Sequence, residues 1–344
     1  MRRRRRALAG DPRRSRLTAP PVPALRVGIV SWNTAAHLDA CLSALPAALG
    51  EVAAEVVVVD NASADESVAV ARRRDVRVIV NDRNLGYAVA MNQALAGPPV
   101  RWLLALNPDT VPGPGSLQEL VTMAEAHPDA GVIVPRLVDA LGRPQPSAHR
   151  FPGALAPVVA TLSSRSVRRS RVGRRLLLDG SGPHRSGPVD WAIGAVHLIR
   201  SSALDGEAPY SERSFMYAED LDLCWRLHQR GAPTVLAGEV TIPHIGNVAG
   251  EQAWGDGRSA RFWIATYDVV AQRRSPWAAR WTALGGAVAA LIAIVRSALR
   301  GLVRGQPAEV RRLVSIRRRE LAVHARVAIR GPLPPPVSAP GPAP

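Results

Sequence analysis

Four short apolar runs, each followed by a segment of helical spacing, constrain this chain more than any other feature. Residues 26–31, 55–59, 76–80 and 102–106 are short, rich in aliphatic side chains and free of a regular polar alternation, so they read as buried strands. Between them, 37–45 and 87–95 place apolar residues three and four apart, as helices do. Ser63, followed three residues on by Glu66, predicts a capping box that opens a helix to about Arg73. A Pro-Gly turn then leads to a helix near 117–126 and a strand at 132–134. Strands without a polar face, alternating with helices, predict an α/β fold with a mostly parallel central sheet and helices on both faces. Ligands of such sheets bind beyond the carboxyl ends of the strands.

Charge and composition remove several chemistries. All 44 basic residues are arginine, so every mechanism that needs a lysine is excluded, including the phosphate loop of nucleotide triphosphatases and Schiff-base catalysis. Only Cys41 and Cys224 are present, too few for a disulfide framework or a Cys-rich zinc site. The net charge of +16 is uneven: residues 1–25 carry +7, 296–344 carry +8, and 26–295 only +1. Within that near-neutral body, 163–175 holds six arginines and no acid. Basic tails attract polyanions, whether nucleic acid or an anionic membrane. A neutral body without an aromatic-basic strand motif opposes a nucleic-acid-binding protein, which stands as a rival reading.

These shifts divide the chain into a disordered basic arm at 1–25, a main domain at 26–250, a C-terminal helical region at 251–330 and a disordered tail at 331–344. No apolar stretch follows Arg2–Arg6, so secretion is not expected and a cytoplasmic protein is. The longest apolar run, 283–295, has thirteen residues, short of the roughly 18–20 that span a bilayer. Arg296, Arg300 and Arg304 continue it on one helical face, which predicts a helix lying on the cytoplasmic face of the cell membrane.

Polar residues gather where the strands stop. The first strand runs into Ser31-Trp32-Asn33, the second into Asp60-Asn61-Ala62-Ser63, and the fourth into Asn107-Pro108-Asp109. Further on, Glu219-Asp220-Leu221-Asp222 opens a helix. Singly, each is explained as a turn or as an acid at a helix N-terminus. On successive ends of one sheet they form a site for a polar ligand or a hard cation. A dinucleotide-binding dehydrogenase would need glycines after the first strand; Ser31-Trp32-Asn33-Thr34 has none, and Gly255-x-Gly257-x-x-Ala260 follows no strand.

These residues, with Asn84-Leu85-Gly86-Tyr87, Asn92, Gly194-Ala195, Phe215-Met216-Tyr217-Ala218 ahead of Glu219, and Pro243-His244, resemble the inverting family 2 glycosyltransferases, within them the bacterial rhamnosyltransferase-like branch. The motifs occur in family order over about 26–246. The resemblance implies a GT-A fold, an enzyme of the hexosyltransferase class and a sugar-nucleotide donor, dTDP-rhamnose favoured. Asp60 would accept from the nucleotide base, with Ser31 and Asn33 in the same pocket. Backbone around Asn84 and Gly86 would approach the ribose and diphosphate, and Arg83 would neutralise phosphate. Asp109 matches the last residue of the family's Asp-x-Asp motif, whose first position is Asn107 here, and His244 matches a histidine that completes metal coordination; Mg²⁺ or Mn²⁺ suits oxygen ligands. Asp220 would be the catalytic base, with Glu219 tuning it or placing the acceptor. Asp222 is expected to be supporting, and Trp225 core. Gly194 and Ala195 would let the acceptor come close. That acceptor would be a glycan or a polyprenyl-linked cell-wall or polysaccharide intermediate. A sugar-nucleotide-binding protein without catalysis is the alternative within the family.

Overall fold

The computed structural model describes residues 24–162, 186–246, 255–304, 307–336 and 338. Most of the expected basic arm, the arginine-rich segment 163–175 and the end of the expected tail lie outside them.

Eight strands form one sheet in the order β3-β2-β1-β4-β9-β5-β10-β7. They are β1 (Leu25–Ser31), β2 (Ala54–Asp60), β3 (Arg77–Val80), β4 (Trp102–Leu106), β5 (Val132–Val138), β7 (Gly187–Val189), β9 (Val196–Arg200) and β10 (Thr234–Pro243). A two-stranded sheet pairs β6 (Ala148–His149) with β8 (Trp191–Ala192). The first four strands are mutually parallel, β10 runs parallel to β5, and only β9 and β7 pair antiparallel with their neighbours. The expected mostly parallel sheet is therefore present. β5 runs three residues past Pro135 because β10 shifts register between Ala237 and Thr241, opposite the proline that has no amide to donate.

Helices cover both faces, as the doubly buried strands require. On one face, α1 (Ala35–Leu49), α2 (Ser67–Arg72) and α4 (Ser116–Ala126) bury Leu38, Leu42, Leu45, Val70, Leu117 and Leu120 against Val27, Ile29 and Leu104. On the other, α3 (Tyr87–Leu95) and α6 (Glu219–Gln229) bury Met91, Leu95, Leu223 and Leu227 against Val57, Leu103 and Val132. The short α5 (Leu155–Leu162) leads toward the C-terminal helices.

The capping box expected at Ser63 does not form. Helix α2 begins at Ser67, and the hydroxyl of Ser63 accepts from the Asn33 amide (2.9 Å) while its own amide donates to Asp60 Oδ2 (2.9 Å). Asp65 receives the Ser67 and Ala35 amides instead. Two strand-end loops claim Ser63, and a local helix signal loses to that tertiary pairing.

Beyond β10 the chain is helical: α7 (Arg258–Arg273), α8 (Pro276–Arg304) and α9 (Pro307–Arg330). Asp222 of α6 is buried and receives Arg273 of α7 at 2.7 Å, so it joins the helical region to the main body, the supporting role expected of it. Trp225 is core, stacked on Phe151 with ring centroids 4.4 Å apart. Helix α8 corrects the membrane argument. Its stretch Pro276–Leu299 is long and apolar enough to cross a bilayer by length and composition, because the pattern extends on both sides of the thirteen-residue run. One face, with Ala279, Ala283, Ala289 and Ala290, is buried inside the body. Its outer face exposes Trp277, Trp281, Leu284, Val288, Leu291, Val295 and Leu299 at spacings of three and four, an unbroken apolar stripe. The expected loose tail is also corrected in part: residues 331–336 return to the body, where the Phe215 amide donates to the Pro336 carbonyl (2.8 Å).

Candidate active site

A cavity of about 320 Å³ lies beyond the carboxyl ends of β1, β2 and β4. Its walls come from segments far apart in sequence: Trp32 and Thr34 after β1, Asn61 after β2, Asn107, Pro108 and Asp109 after β4, Gly194 and Ala195 before β9, residues 216–220 at the start of α6, His244 after β10 and Phe262 of α7. Of the expected site residues, Asn84, Asn107, Asp109, Gly194, Ala195, Glu219, Asp220 and His244 line it together. Ser31, Asn33, Asp60, Arg83 and Gly86 do not.

Those five sit around the cavity rather than on it. Ser31 is fully buried and shares a hydrogen bond with Thr34 (2.8 Å). Asn33, at φ +53°, uses Oδ1 to accept from the Ala64 amide (2.7 Å), binding the β1 loop to the β2 loop. Asp60 is buried, with Oδ2 engaged by Ser63 and Oδ1 without a partner. Arg83 is exposed. Gly86 has a reason other than the expected approach of a ligand: at φ +87° a Cβ would stand 2.4 Å from the Phe215 carbonyl oxygen, which accepts from the Tyr87 amide. Asn61 fixes this segment by donating to Asn84 Oδ1 (2.7 Å) and the Gly86 carbonyl (3.2 Å) and accepting from the Leu85 amide (3.0 Å).

Asp109 and His244 meet at one side. His244 Nε2 lies 3.5 Å from Asp109 Oδ1, and both side chains are almost wholly buried. Gln145 donates its Nε2 to the His244 carbonyl (2.6 Å), which turns its Oε1 toward His244 Nδ1 (3.0 Å). Nδ1 therefore carries the proton in the neutral ring, and Nε2 presents a lone pair to a carboxylate. Nε2 has no hydrogen-bond partner, and neither has the buried Asn107 Oδ1. Burial alone would raise the Asp109 carboxyl, but in the absence of a cation the His244 ring, when protonated, and the Gly246 amide (3.2 Å) outweigh it and hold the group below the usual range. Acceptor facing acceptor, with the second ring nitrogen anchored by an amide, is the donor set a divalent cation fits. No group of three His, Cys, Asp or Glu side chains gathers here among the described residues, so such an ion would take its remaining ligands from a bound substrate.

The opposite side carries the two carboxylates of α6. Tyr217 and Ala218 both have positive φ, +80° and +64°, a strained entry that turns Glu219 and Asp220 into the cavity. Asp220 Oδ2 accepts from the Gly194 amide (3.0 Å) and Oδ1 from the Leu221 amide (2.7 Å). Glu219 Oε2 is buried without a partner. Burial raises both carboxyls, and the Asp220 charge raises Glu219 further. Two amides favour the charged form of Asp220, so of the pair Glu219 keeps the proton to higher pH. Wild-type folding thus gains a contribution that is complete below the ordinary Glu value of 4.5 and is lost as pH rises through the raised one. Glu219→Gln has no such loss. Its Tm is expected to match wild type near about pH 4 and to exceed it by several degrees at about pH 8.5, read by scanning calorimetry; a constant difference across that span would refute the assignment.

Sequence reasoning missed Gln145, which stands in a polar loop with no pattern to mark it. It also missed the aromatic lining. Tyr87 donates to the Gly194 carbonyl (3.2 Å), Trp191 donates to the Arg150 carbonyl (2.9 Å), and Phe262 and Tyr217 meet edge to face with ring centroids 6.2 Å apart.

The chain resembles known proteins in sequence and in fold. The profile of the family described as Glycosyl transferase family 2 matches residues 27–188. The chain is 32% identical, over 80% of its own length and 94% of the relative's, to an N-acetylglucosaminyl-diphospho-decaprenol L-rhamnosyltransferase of Mycobacterium tuberculosis. It is 28% identical to a low-salt glycan biosynthesis hexosyltransferase of Haloferax volcanii, over 50% of this chain and 53% of that one. Among solved structures, a mannosyltransferase from Pyrobaculum calidifontis, in complex with GDP-Man and Mn²⁺, superposes with a TM-score of 0.54 at 17% identity, covering 90% of this chain and 87% of that one; this likeness establishes the fold.

Proposed function

The chain belongs to the family 2 glycosyltransferases, enzymes of the hexosyltransferase class with a GT-A fold, and from that premise we propose that it moves rhamnose from dTDP-rhamnose, with inversion, onto a lipid-linked glycan acceptor. The observation that carries the reading is one cavity holding Asp220 and Glu219 together with the Asp109–His244 pair. The relative's printed activity supports the donor sugar and the acceptor class.

In this reading Asp220, charged and held by two amides, takes the proton from the acceptor hydroxyl as it attacks the sugar carbon. Glu219, protonated, donates a hydrogen bond to the acceptor. Gly194 and Ala195 leave room for that acceptor next to Asp220. Asp60 keeps one buried oxygen unpartnered, which supports its part in reading the nucleotide base beside Trp32 and Thr34. Asp109 and His244 would hold Mg²⁺ or Mn²⁺, with Asn107 beside them. That ion supplies Lewis-acid stabilisation of the departing diphosphate.

The test is a thermal-shift screen of nucleoside diphosphates and their sugars with and without Mn²⁺. Stabilisation by dTDP and dTDP-rhamnose above other nucleotides, and larger with Mn²⁺, is the expected result. No stabilisation of a folded sample by any of them would overturn the reading.

The reading also places the protein peripherally on the cytoplasmic face of the membrane, through the outer stripe of α8. An amphipathic helix with this spacing lies in the interface, and Trp277 and Trp281 suit the headgroup level. Leu284→Glu with Leu291→Glu is expected to reduce partition onto anionic vesicles at least tenfold in a flotation assay while leaving Tm within about 2 °C; unchanged partition would refute it.

A further inference from the structure

A second cavity, of about 570 Å³, lies among α5, α7, α8 and α9. Trp191, Ile193 and Phe262 wall both it and the cavity that holds Asp220, so the two are neighbours. Its volume falls in the range of cavities that hold a small ligand.

The void follows from residue size. The inner face of α8 offers the short side chains of Ala289, Ala290 and Ala293 to it, beyond Gly286, where a Cβ would already stand 2.8 Å from the Tyr267 hydroxyl. At Gly285 the packing is already closed, since a Cβ there would stand 1.8 Å from the Ala154 carbonyl oxygen. One turn further along α8, small side chains leave a groove where larger ones would have built core. Polar groups on its walls are largely satisfied by one another: Arg317 pairs with Glu320 (2.6 Å), and Tyr267 shares a hydrogen bond with His324 (2.7 Å). The remaining wall is mostly apolar. The same helix carries on its other side the exposed stripe from Trp277 to Leu299. One helix thus presents an apolar face to the outside and an apolar groove to the inside.

We propose that this groove binds the first isoprenoid units of the acceptor's lipid chain and leads the sugar they carry to Asp220. The inference rests on the reading of the acceptor as lipid-linked, and it adds where the lipid goes. The occupant is an apolar chain with an anionic diphosphate head. Arg150 lines the groove as a partly exposed cation that pairs with Asp190 through Nη1 (3.1 Å), and an anionic head would compete with that carboxylate for it.

The experiment is isothermal titration of the full chain with geranylgeranyl diphosphate, with inorganic diphosphate as the chain-free control. The lipid is expected to bind at least tenfold more tightly than diphosphate. Ala290→Trp and Ala160→Trp, which fill the groove, are each expected to weaken lipid binding at least tenfold and to leave dTDP-rhamnose binding unchanged. Equal affinity for lipid and diphosphate, or folded variants that bind lipid as wild type does, would overturn the proposal. Should both variants fail to fold, a diazirine-bearing polyprenyl diphosphate on the wild-type protein decides. Label on Ala156, Ala160, Ala289, Ala290 or Ala293 supports the groove, and label confined to Leu284, Val288 and Leu291 refutes it. Donor binding is measured on the same samples. Loss of lipid preference with donor binding intact removes the groove alone, whereas absent donor binding removes the glycosyltransferase reading itself.

Discussion

Asp220→Asn is expected to lower the transfer rate by about 10³-fold, the middle of the range that general-base catalysis supplies, while donor affinity changes less than about twofold. The asparagine keeps the volume and, through its single oxygen, can still accept from one of the two amides, of Gly194 or Leu221, that the carboxylate holds with its two oxygens. What it cannot do is take a proton. Glu219 lies next in sequence and in the same cavity, but burial and its neighbour hold its proton on, so it does not substitute at neutral pH. In the asparagine variant the repulsion between the two carboxylates disappears, and Glu219 ionises at a lower pH. A small residual rate that rises with pH is therefore expected. Rapid-quench assays with saturating donor give the rate, and calorimetric titration gives donor affinity. Near-normal turnover in the variant would remove Asp220 from the role of base.

Asp109→Ala is expected to reduce donor affinity measured in Mn²⁺ to its value in chelator. His244 alone, with one lone pair, does not hold a hard cation that prefers oxygen ligands. His244→Ala is expected to act in the same direction. Gln145→Ala is the sharper probe, because Gln145 does not line the cavity. It fixes which nitrogen of His244 carries the proton, and loss of such an orienting partner costs about 10–100-fold in metal affinity. Titrating Mn²⁺ against the dTDP-induced thermal shift of each variant separates the cases. Equal Mn²⁺ dependence in wild type and Asp109→Ala would show that the pair holds no ion.

The alternation of apolar runs and helical spacing was enough to assign β1 to β4 and the helices between them, because a strand buried on both faces can only be aliphatic throughout. Tyr87–Leu95 and Trp102–Leu106 coincide with the sequence boundaries for that reason. The strand-end acids were legible as a set, since turns and helix N-termini explain each one singly but not their recurrence on successive ends of one sheet. The β6–β9 region was not legible: these strands are short, and β9 reverses direction in mid-sheet around the buried His197.

What only the tertiary structure decided are the pairings between distant segments. The meeting of His244 with Asp109 depends on two strand ends 135 positions apart. Gln145 joins them from a loop with no signal of its own. Gly86 is required by the carbonyl of Phe215, and the last described turns of the chain hold that same residue through Pro336. Helix α8 reads in sequence as one apolar segment, and only its neighbours divide it into an exposed stripe and a small-residue wall. Local residue patterns report which face of an element is apolar, because hydrophobicity is a property of each residue alone. They do not report which partner does the burying, and the site and the groove are both made of such partners.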